Sequence, residues 1–149
     1  MVSKKVCIET LWPPEEQLVG GQEENEDCSV FMIHYDGIRL LITGDLDVTG
    51  ELAMIAYYEK QKQLYRLKAD ILKIGHHGSI TSTSDRFLDV VDPEYAVIQV
   101  GKNNNYGHPN QKIVEKCQIR GIMVKRNDYN GGVGFFFRKG RISVSTVIP

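Results

Sequence analysis

Two apolar runs in this 149-residue chain end on glycine and then on side chains able to hold a metal ion. The first is Leu72-Lys73-Ile74-Gly75-His76-His77-Gly78-Ser79, followed by the hydroxyl-rich Thr81-Ser82-Thr83-Ser84. The second is Leu40-Leu41-Ile42-Thr43-Gly44-Asp45. Either piece alone reads as a polar turn. Together they read as two strand ends that deliver imidazole and carboxylate to one rigid surface. An oxygen donor mixed with nitrogen donors suits zinc, manganese or iron better than calcium. A carboxylate can also bridge two ions where an imidazole cannot, which makes Asp45 the bridging candidate of a two-metal site. Adjacent histidines on a turn point in different directions, so one of the pair is read as the ligand. His77 is favoured for that role. His76 is then left to face substrate as general acid or as a hydrogen-bond partner of a phosphate oxygen. Gly78 and Ser79 offer a backbone N–H and a hydroxyl to an anion.

A third candidate segment is Asn105-Tyr106-Gly107-His108-Pro109. The His108 imidazole is suited to protonate a leaving group or clamp a phosphate, and equally to bond neighbouring backbone in a turn. Tyr106 joins Ser79 as a substrate-contact candidate. Asn103, Asn104 and Asn105 read as turn residues that tolerate left-handed backbone. His34, inside an alternating strand, reads as structural, and Tyr57 and Tyr58 as helix residues of core and surface. The chain has no Gly-x-Ser-x-Gly elbow, no phosphate loop and no dinucleotide fingerprint.

The elements that must position these residues follow from pattern. Strands are expected over 6–11, 29–35, 38–43, 69–74, 95–100, 122–125, 134–138 and 142–147, with Asp36-Gly37 as a tight hairpin turn. Helices are expected over 51–67, where Leu52, Ile55, Ala56, Tyr58 or Glu59 and Leu64 fall roughly at helical spacing, and over 85–90 and 110–120. Thr49, Ser84 and Asn110 are the expected caps, and Gly121 the C-terminal stop. Residues 15–27 read as an acidic loop. The order is α/β with a mixed sheet, and in open sheets of this kind ligands gather beyond the strand ends. Asp45, His76, His77 and His108 are therefore expected to converge.

Composition sets the outer bounds. Hydrophobic residues make up 42% and charged residues 25%, which fits one domain with a real core. A net charge of -1 gives no general electrostatic case for nucleic acid or an anionic membrane. The cluster Lys60, Lys62, Arg66 and Lys68 reads as a solvated helix face. Three widely spaced cysteines (Cys7, Cys28 and Cys117) argue for buried free thiols rather than a disulfide frame. No apolar stretch is long enough to span a bilayer, and Met1-Val2-Ser3-Lys4-Lys5 is not followed by a signal-peptide core. The expectation is a cytoplasmic chain if free-standing, and a membrane-attached one if it belongs to a larger membrane protein.

The three motifs, with Leu11-Trp12-Pro13 and the Asn25-to-Val30 entry into the hairpin, resemble the metallo-β-lactamase-fold domain at the C-terminus of ComEC-type competence proteins. The resemblance covers nearly the whole chain. It implies an αββα sandwich of which residues 1–149 form the second half. It implies that Asp45 supplies the bridging carboxylate, and that His76 or His77 supplies a late metal histidine. It also implies two divalent ions in the complete domain, zinc or manganese, and hydrolysis of phosphodiesters such as DNA during uptake. The fold's His-x-His-x-Asp-His motif has no match here, since no histidine precedes His34. That motif is expected in an upstream segment or a partner chain. The alternative is a non-catalytic module of the same fold that acts by dimerising or by pairing with another chain.

Overall fold

A computed structural model describes residues 5–14 and 28–147. The expected acidic loop over 15–27 and the start of the Asn25-to-Val30 entry lie outside the described residues. Among the described residues, eight strands and four α-helices follow one another as β1 (Cys7–Trp12), β2 (Val30–Tyr35), β3 (Ile38–Ile42), α1 (Val48–Lys60), β4 (Ile71–Lys73), α2 (Asp85–Val91), β5 (Tyr95–Ile98), α3 (Gln111–Ile119), β6 (Met123–Arg126), α4 (Asn127–Asn130), β7 (Gly132–Arg138) and β8 (Arg141–Val147). The first six strands form one sheet in their sequence order, and β7 and β8 form a separate antiparallel ribbon. The pairs β1–β2 and β2–β3 are antiparallel, while β3 to β6 run parallel. This is the α/β architecture with a mixed sheet and flanking helices that the pattern implies.

The topology has a physical consequence. Parallel neighbours need a crossover, and crossovers share one hand. With the strands in strict sequence order, each crossover steps the same way, so α1, α2 and α3 all land on one face. The main core confirms this arrangement. It joins Met54, Ile55, Phe87, Leu88, Ile113 and Val114 of the helices to Leu41, Leu72, Ile74, Ala96 and Ile98 of the strands. The opposite face is apolar too, in register across the sheet: Ile33 faces Leu40, Leu40 faces Ile71, and Ile71 faces Tyr95. Here the cover is the β7–β8 ribbon, whose Phe135, Phe137, Ile142 and Val144 pack on Ile38, Ile71 and Tyr95. Among the described residues the ribbon leaves part of this face uncovered, and Ile8 on β1 remains 64% exposed.

The caps at Ser84 and Asn110 form as expected: Ser84 Oγ accepts from Phe87 N at 3.2 Å and Asn110 Oδ1 from Lys112 N at 3.0 Å. Gly121 closes α3 with φ +73°. Three expectations need correction. Asp47, not Thr49, caps α1, with Oδ1 accepting from Gly50 N at 2.9 Å. The helix ends at Lys60, and Leu64–Leu67 is a separate 3₁₀ turn. Its inward face is also rotated from the one the apolar spacing suggests. Leu52 is exposed while Glu51 is buried at 1%, because its carboxylate is claimed by backbone N–H groups of another loop.

The basic cluster is not a continuous face, since Arg66 is held by Glu9 and Lys68 pairs with Asp92 at 3.3 Å. His34 contacts Glu9 at 3.4 Å. Tyr58 is buried and its hydroxyl donates to Leu11 O at 3.0 Å, while Tyr57 packs edge-on against Trp12. Of the thiols only Cys117 is fully buried, its pKa pushed up to about 11 by burial, whereas Cys7 is exposed. Among the described residues no helix is long and apolar enough to cross a membrane.

The two-faced sheet predicts a sharp contrast. Leu72→Ala, in the filled core, is expected to cost about 2–5 kcal/mol. Ile8→Ala, on the open face, should stay within about 0.5 kcal/mol. Urea unfolding of the two variants measures both.

Candidate active site

The site is built from three loops that leave β3, β4 and β5 at the same sheet edge. The β3–β4 register, with Ile42 opposite Lys73, fixes where the first two loops begin. The carbonyl of Gly44 then joins them. It accepts from His76 N at 3.1 Å and from Lys73 Nζ at 2.9 Å, and Thr43 Oγ1 donates to Lys73 O at 3.0 Å. Burial lowers the Lys73 pKa, and the Asp45 carboxylate pulls it back up.

His76 (φ 45°, ψ 45°) and His77 (φ 53°, ψ 21°) both adopt left-handed backbone, and Gly78 follows at φ +81°. Left-handed residues other than glycine cost roughly 1–2 kcal/mol each, so two in succession must be held in place from outside. Ser79 N donates to His76 O at 2.8 Å and Asn110 N to Gly78 O at 2.8 Å. A Cβ on Gly78 would meet Pro109 Cβ at 2.6 Å, so only glycine lets the third loop close on the second. The backbone reversal also turns the two imidazoles apart, as expected for adjacent histidines on a turn.

His77 faces Asp45, with Nε2 3.7 Å from Oδ1. Its other nitrogen, Nδ1, donates to Gln99 O at 2.6 Å. A carbonyl can only accept, so Nδ1 carries a proton here, and in the neutral form of the ring Nε2 presents a lone pair toward the carboxylate. Two lone-pair donors facing each other across 3.7 Å suit a shared cation, since zinc bonds to nitrogen or oxygen run about 2.0–2.2 Å. The Nδ1–H to carbonyl bond is also the usual way a metal histidine is oriented. Both side chains are about half exposed. Among the described residues, however, no three His, Cys, Asp or Glu side chains gather to hold an ion. The donors present fit a metal as two members of a larger set.

His76 points toward the third loop. Its ring meets that of His108 edge-on at 5.9 Å, and Tyr106 stacks on His108 at 5.9 Å and 19°. His76 Nδ1 is buried with no hydrogen-bond partner among the described residues. Buried polar atoms are rarely left without a partner, whether protein, water or ion. Burial lowers the His108 pKa, and the neighbouring His76 and His77 lower it further. A depressed pKa favours the neutral ring, which accepts protons more readily than it donates them. Beside this group lies an open cleft of about 500 Å³, lined by His77, Gln99, Tyr106, His108 and Asn127 among others. Tyr106, at 82% exposure, stands at its rim.

Asp45, His76, His77 and His108 thus converge at one edge. Ser79 does not face the cleft. It is buried, and its hydroxyl is taken by Thr81 Oγ1 at 2.9 Å, so it holds the loop together. The asparagines differ from expectation as well. None of Asn103, Asn104 and Asn105 has positive φ. Asn104 works through its side chain, donating to Gly101 O and His108 O and accepting from Tyr106 N and His108 N. Four residues of the site region were missed by sequence reading. Lys73 and Asn127 carried a signal, as a lysine inside an apolar run and a polar residue after a strand. Gln99 acts through its backbone carbonyl and carried none, and Glu51 was hidden by its place on a helix.

With this geometry in hand, the comparisons are direct. A family model described as the metallo-beta-lactamase superfamily matches residues 23–102, which include Asp45, His76 and His77. The chain belongs to that superfamily. It is 36% identical over 126 residues to "ComE operon protein 3" of Bacillus subtilis (strain 168), covering 85% of this chain and 15% of that protein. It is 35% identical over 137 residues to "Competence protein ComA" of Neisseria gonorrhoeae, covering 92% of this chain and 19% of that protein. It is 27% identical over 124 residues to "Recombination protein 2" of Haemophilus influenzae, covering 81% of this chain and 14% of that protein. The resemblance to ComEC-type competence proteins read from the motifs therefore holds, and this chain spans less than a fifth of each of these relatives. Members of the superfamily generally bind divalent metals.

The His108 environment predicts a pH effect. Its folded pKa lies below the ordinary 6.5, so the unfolded chain binds more protons as pH falls through that range. The stability this site retains at neutral pH is therefore lost on acidification from 6.5 toward the folded value. NMR titration should place the His108 midpoint below 6.5, and His108→Gln should flatten the fall in urea midpoint between about pH 7 and 5.

Proposed function

We propose that this chain is part of a metal-dependent phosphodiester hydrolase, acting on DNA in connection with uptake during transformation. The observation that carries the reading is the Asp45–His77 pair, two lone-pair donors 3.7 Å apart at the edge of a metallo-beta-lactamase-superfamily sheet. In this reading Asp45 and His77 hold a divalent cation, zinc or manganese. Such an ion, when bound, supplies Lewis acidity toward a phosphate oxygen.

The chain's own residues do the rest. Gln99 O orients His77 through Nδ1–H. His108, kept neutral, accepts a proton near the reacting group, and His76 supports it from the side. Tyr106 and the cleft beside His108 receive the part of the substrate that flanks the phosphate. Gly78 N–H and the loop that Ser79 braces complete the wall. The remaining metal donors come from a His-x-His-x-Asp-His motif on a second αβ layer, which covers the half-open apolar face of the sheet. The attachment to a membrane protein and the DNA substrate belong to the same reading, by likeness to the longer competence proteins.

A second reading also has an observation behind it. Only two donors face each other among the described residues, which suits a non-catalytic module whose open sheet face pairs with a second copy or a partner chain.

Metal content and activity separate the two. This chain alone is expected to hold zinc weakly and leave an oligonucleotide intact. The protein that also carries the His-x-His-x-Asp-His layer should bind two ions by elemental analysis and cleave it. In that protein, Asp45→Asn should lower cleavage by at least about 100-fold, because losing an outer-shell partner already costs about 10–100-fold in metal affinity or activity. Retained cleavage by Asp45→Asn would overturn the hydrolase assignment.

A further inference from the structure

One buried charge has no part in the chemistry above. Glu51 lies on α1 and is 1% exposed. Both of its carboxylate oxygens are used: Oε1 accepts from Thr83 N at 2.5 Å and Oε2 from Ser84 N at 2.8 Å. Packing alone would favour leucine or methionine at this position, since a buried charge is costly unless hydrogen bonds satisfy it. One of its bonds satisfies the N-cap N–H of α2, whose first turn Ser84 Oγ caps separately by accepting from Phe87 N. The other bond holds Thr83, a fully buried residue at φ +60°. For a β-branched residue that backbone region is a real outlier. Lys116 Nζ supports the same residue from the other side, donating to Thr83 O at 3.3 Å.

The pinned residue connects directly to the histidine turn. Ser82, next to Thr83, donates through Oγ to Gly75 O at 2.9 Å and shares a contact with Ser79 O at 3.0 Å. Ser79 N donates to His76 O at 2.8 Å. From the α1 side, Val48 N donates to Thr81 O at 2.8 Å. Helix α1 begins immediately after the Asp45 turn, so one end of this network moves with Asp45 and the other with His76 and His77.

We propose that Glu51 is a positioning residue, whose carboxylate holds Thr83 in the left-handed region and thereby sets the His76–His77 turn against Asp45. The proposal rests on the reading of Asp45 and His77 as a cation-holding pair. Burial pushes the Glu51 pKa above its ordinary value, while the N–H groups of Ser84 and Thr83 pull it back. Glutamine in its place would set an amide N–H₂ against one of those backbone N–H groups. Glycine at 83 would adopt positive φ without help.

The test compares Glu51→Gln, Glu51→Gln/Thr83→Gly and Ser84→Ala with the parent chain. Two signals are read by NMR: the His77 Nδ1–H resonance without metal, and the shift of His77 Nε2 as Zn²⁺ is added. Glu51→Gln is expected to displace or broaden the first and weaken the apparent Zn²⁺ affinity about tenfold, the lower end of outer-shell effects. The added Thr83→Gly should restore both. Ser84→Ala, which weakens α2 without freeing Thr83, should leave both at parent values. Unchanged His77 signals in Glu51→Gln would overturn the proposal, as would an equal disturbance in Ser84→Ala. Should Glu51→Gln fail to fold, Lys116→Met takes its place, with a smaller displacement in the same direction expected and no displacement overturning the idea. If Zn²⁺ never shifts His77 in the parent chain but Glu51→Gln still moves Nδ1–H, the cation reading fails and the positioning role stands. If Zn²⁺ shifts His77 equally in parent and variant, the cation reading stands and the positioning role fails.

Discussion

The carbonyl oxygen of Gly44 accepts two hydrogen bonds, from His76 N and from Lys73 Nζ, and the layout of the site follows from that junction. It ties the loop after β3 to the loop after β4 at one fixed separation. The parallel register brings the strand ends level, but level ends alone leave both loops free to splay. With the Gly44 oxygen shared, Asp45 and His77 cannot drift apart without breaking a backbone bond and stranding a half-buried lysine. The third loop adds to the same frame through Asn110 N to Gly78 O and through Gln99 O to His77 Nδ1. Strained backbone at His76 and His77 is sustained by this cross-bracing, which is the usual setting in which proteins keep such conformations.

Much of this was legible in the sequence. Asp36-Gly37, the strand-glycine-polar endings and the caps at Ser84 and Asn110 depend on near neighbours, and local patterns report near neighbours well. The inward face of α1 was read wrongly because apolar spacing counts Leu52 as core and Glu51 as surface. Glu51 is buried by partners more than thirty positions away, at Thr83 and Ser84, and no local rule reports that. The role of Asn104 was likewise read from residue type. A turn asparagine was expected to bend its own backbone, whereas its amide group instead bonds four backbone groups around it. Backbone contributors such as Gln99 O leave no trace in residue identity at all. The ionisation of His108 depends on which rings pack beside it, so spacing alone left a histidine that acts on substrate and a turn histidine bonded to backbone equally open.

The sheet shows how one topological fact shapes two surfaces. Strict strand order sends all three connecting helices to one side, and that side is closed. The other side is apolar in register too, and among the described residues it carries only a two-stranded ribbon. Parallel strands are generally buried on both faces. Among the described residues this face is partly uncovered, with Ile8 64% exposed. It fits the small share of its longer relatives that this chain spans.

Asp45 and His77 follow the two strands of a single strand–helix–strand unit, β3 through the turn after β4. Contacts that close so short a stretch of chain form early and quickly, because little loop entropy is lost in making them. The pair is carried by one strand–helix–strand unit, which the third loop braces through Gln99 O and Asn110 N. In the proposed metal reading, a donor from elsewhere in a larger protein would complete a geometry that these two turns already hold.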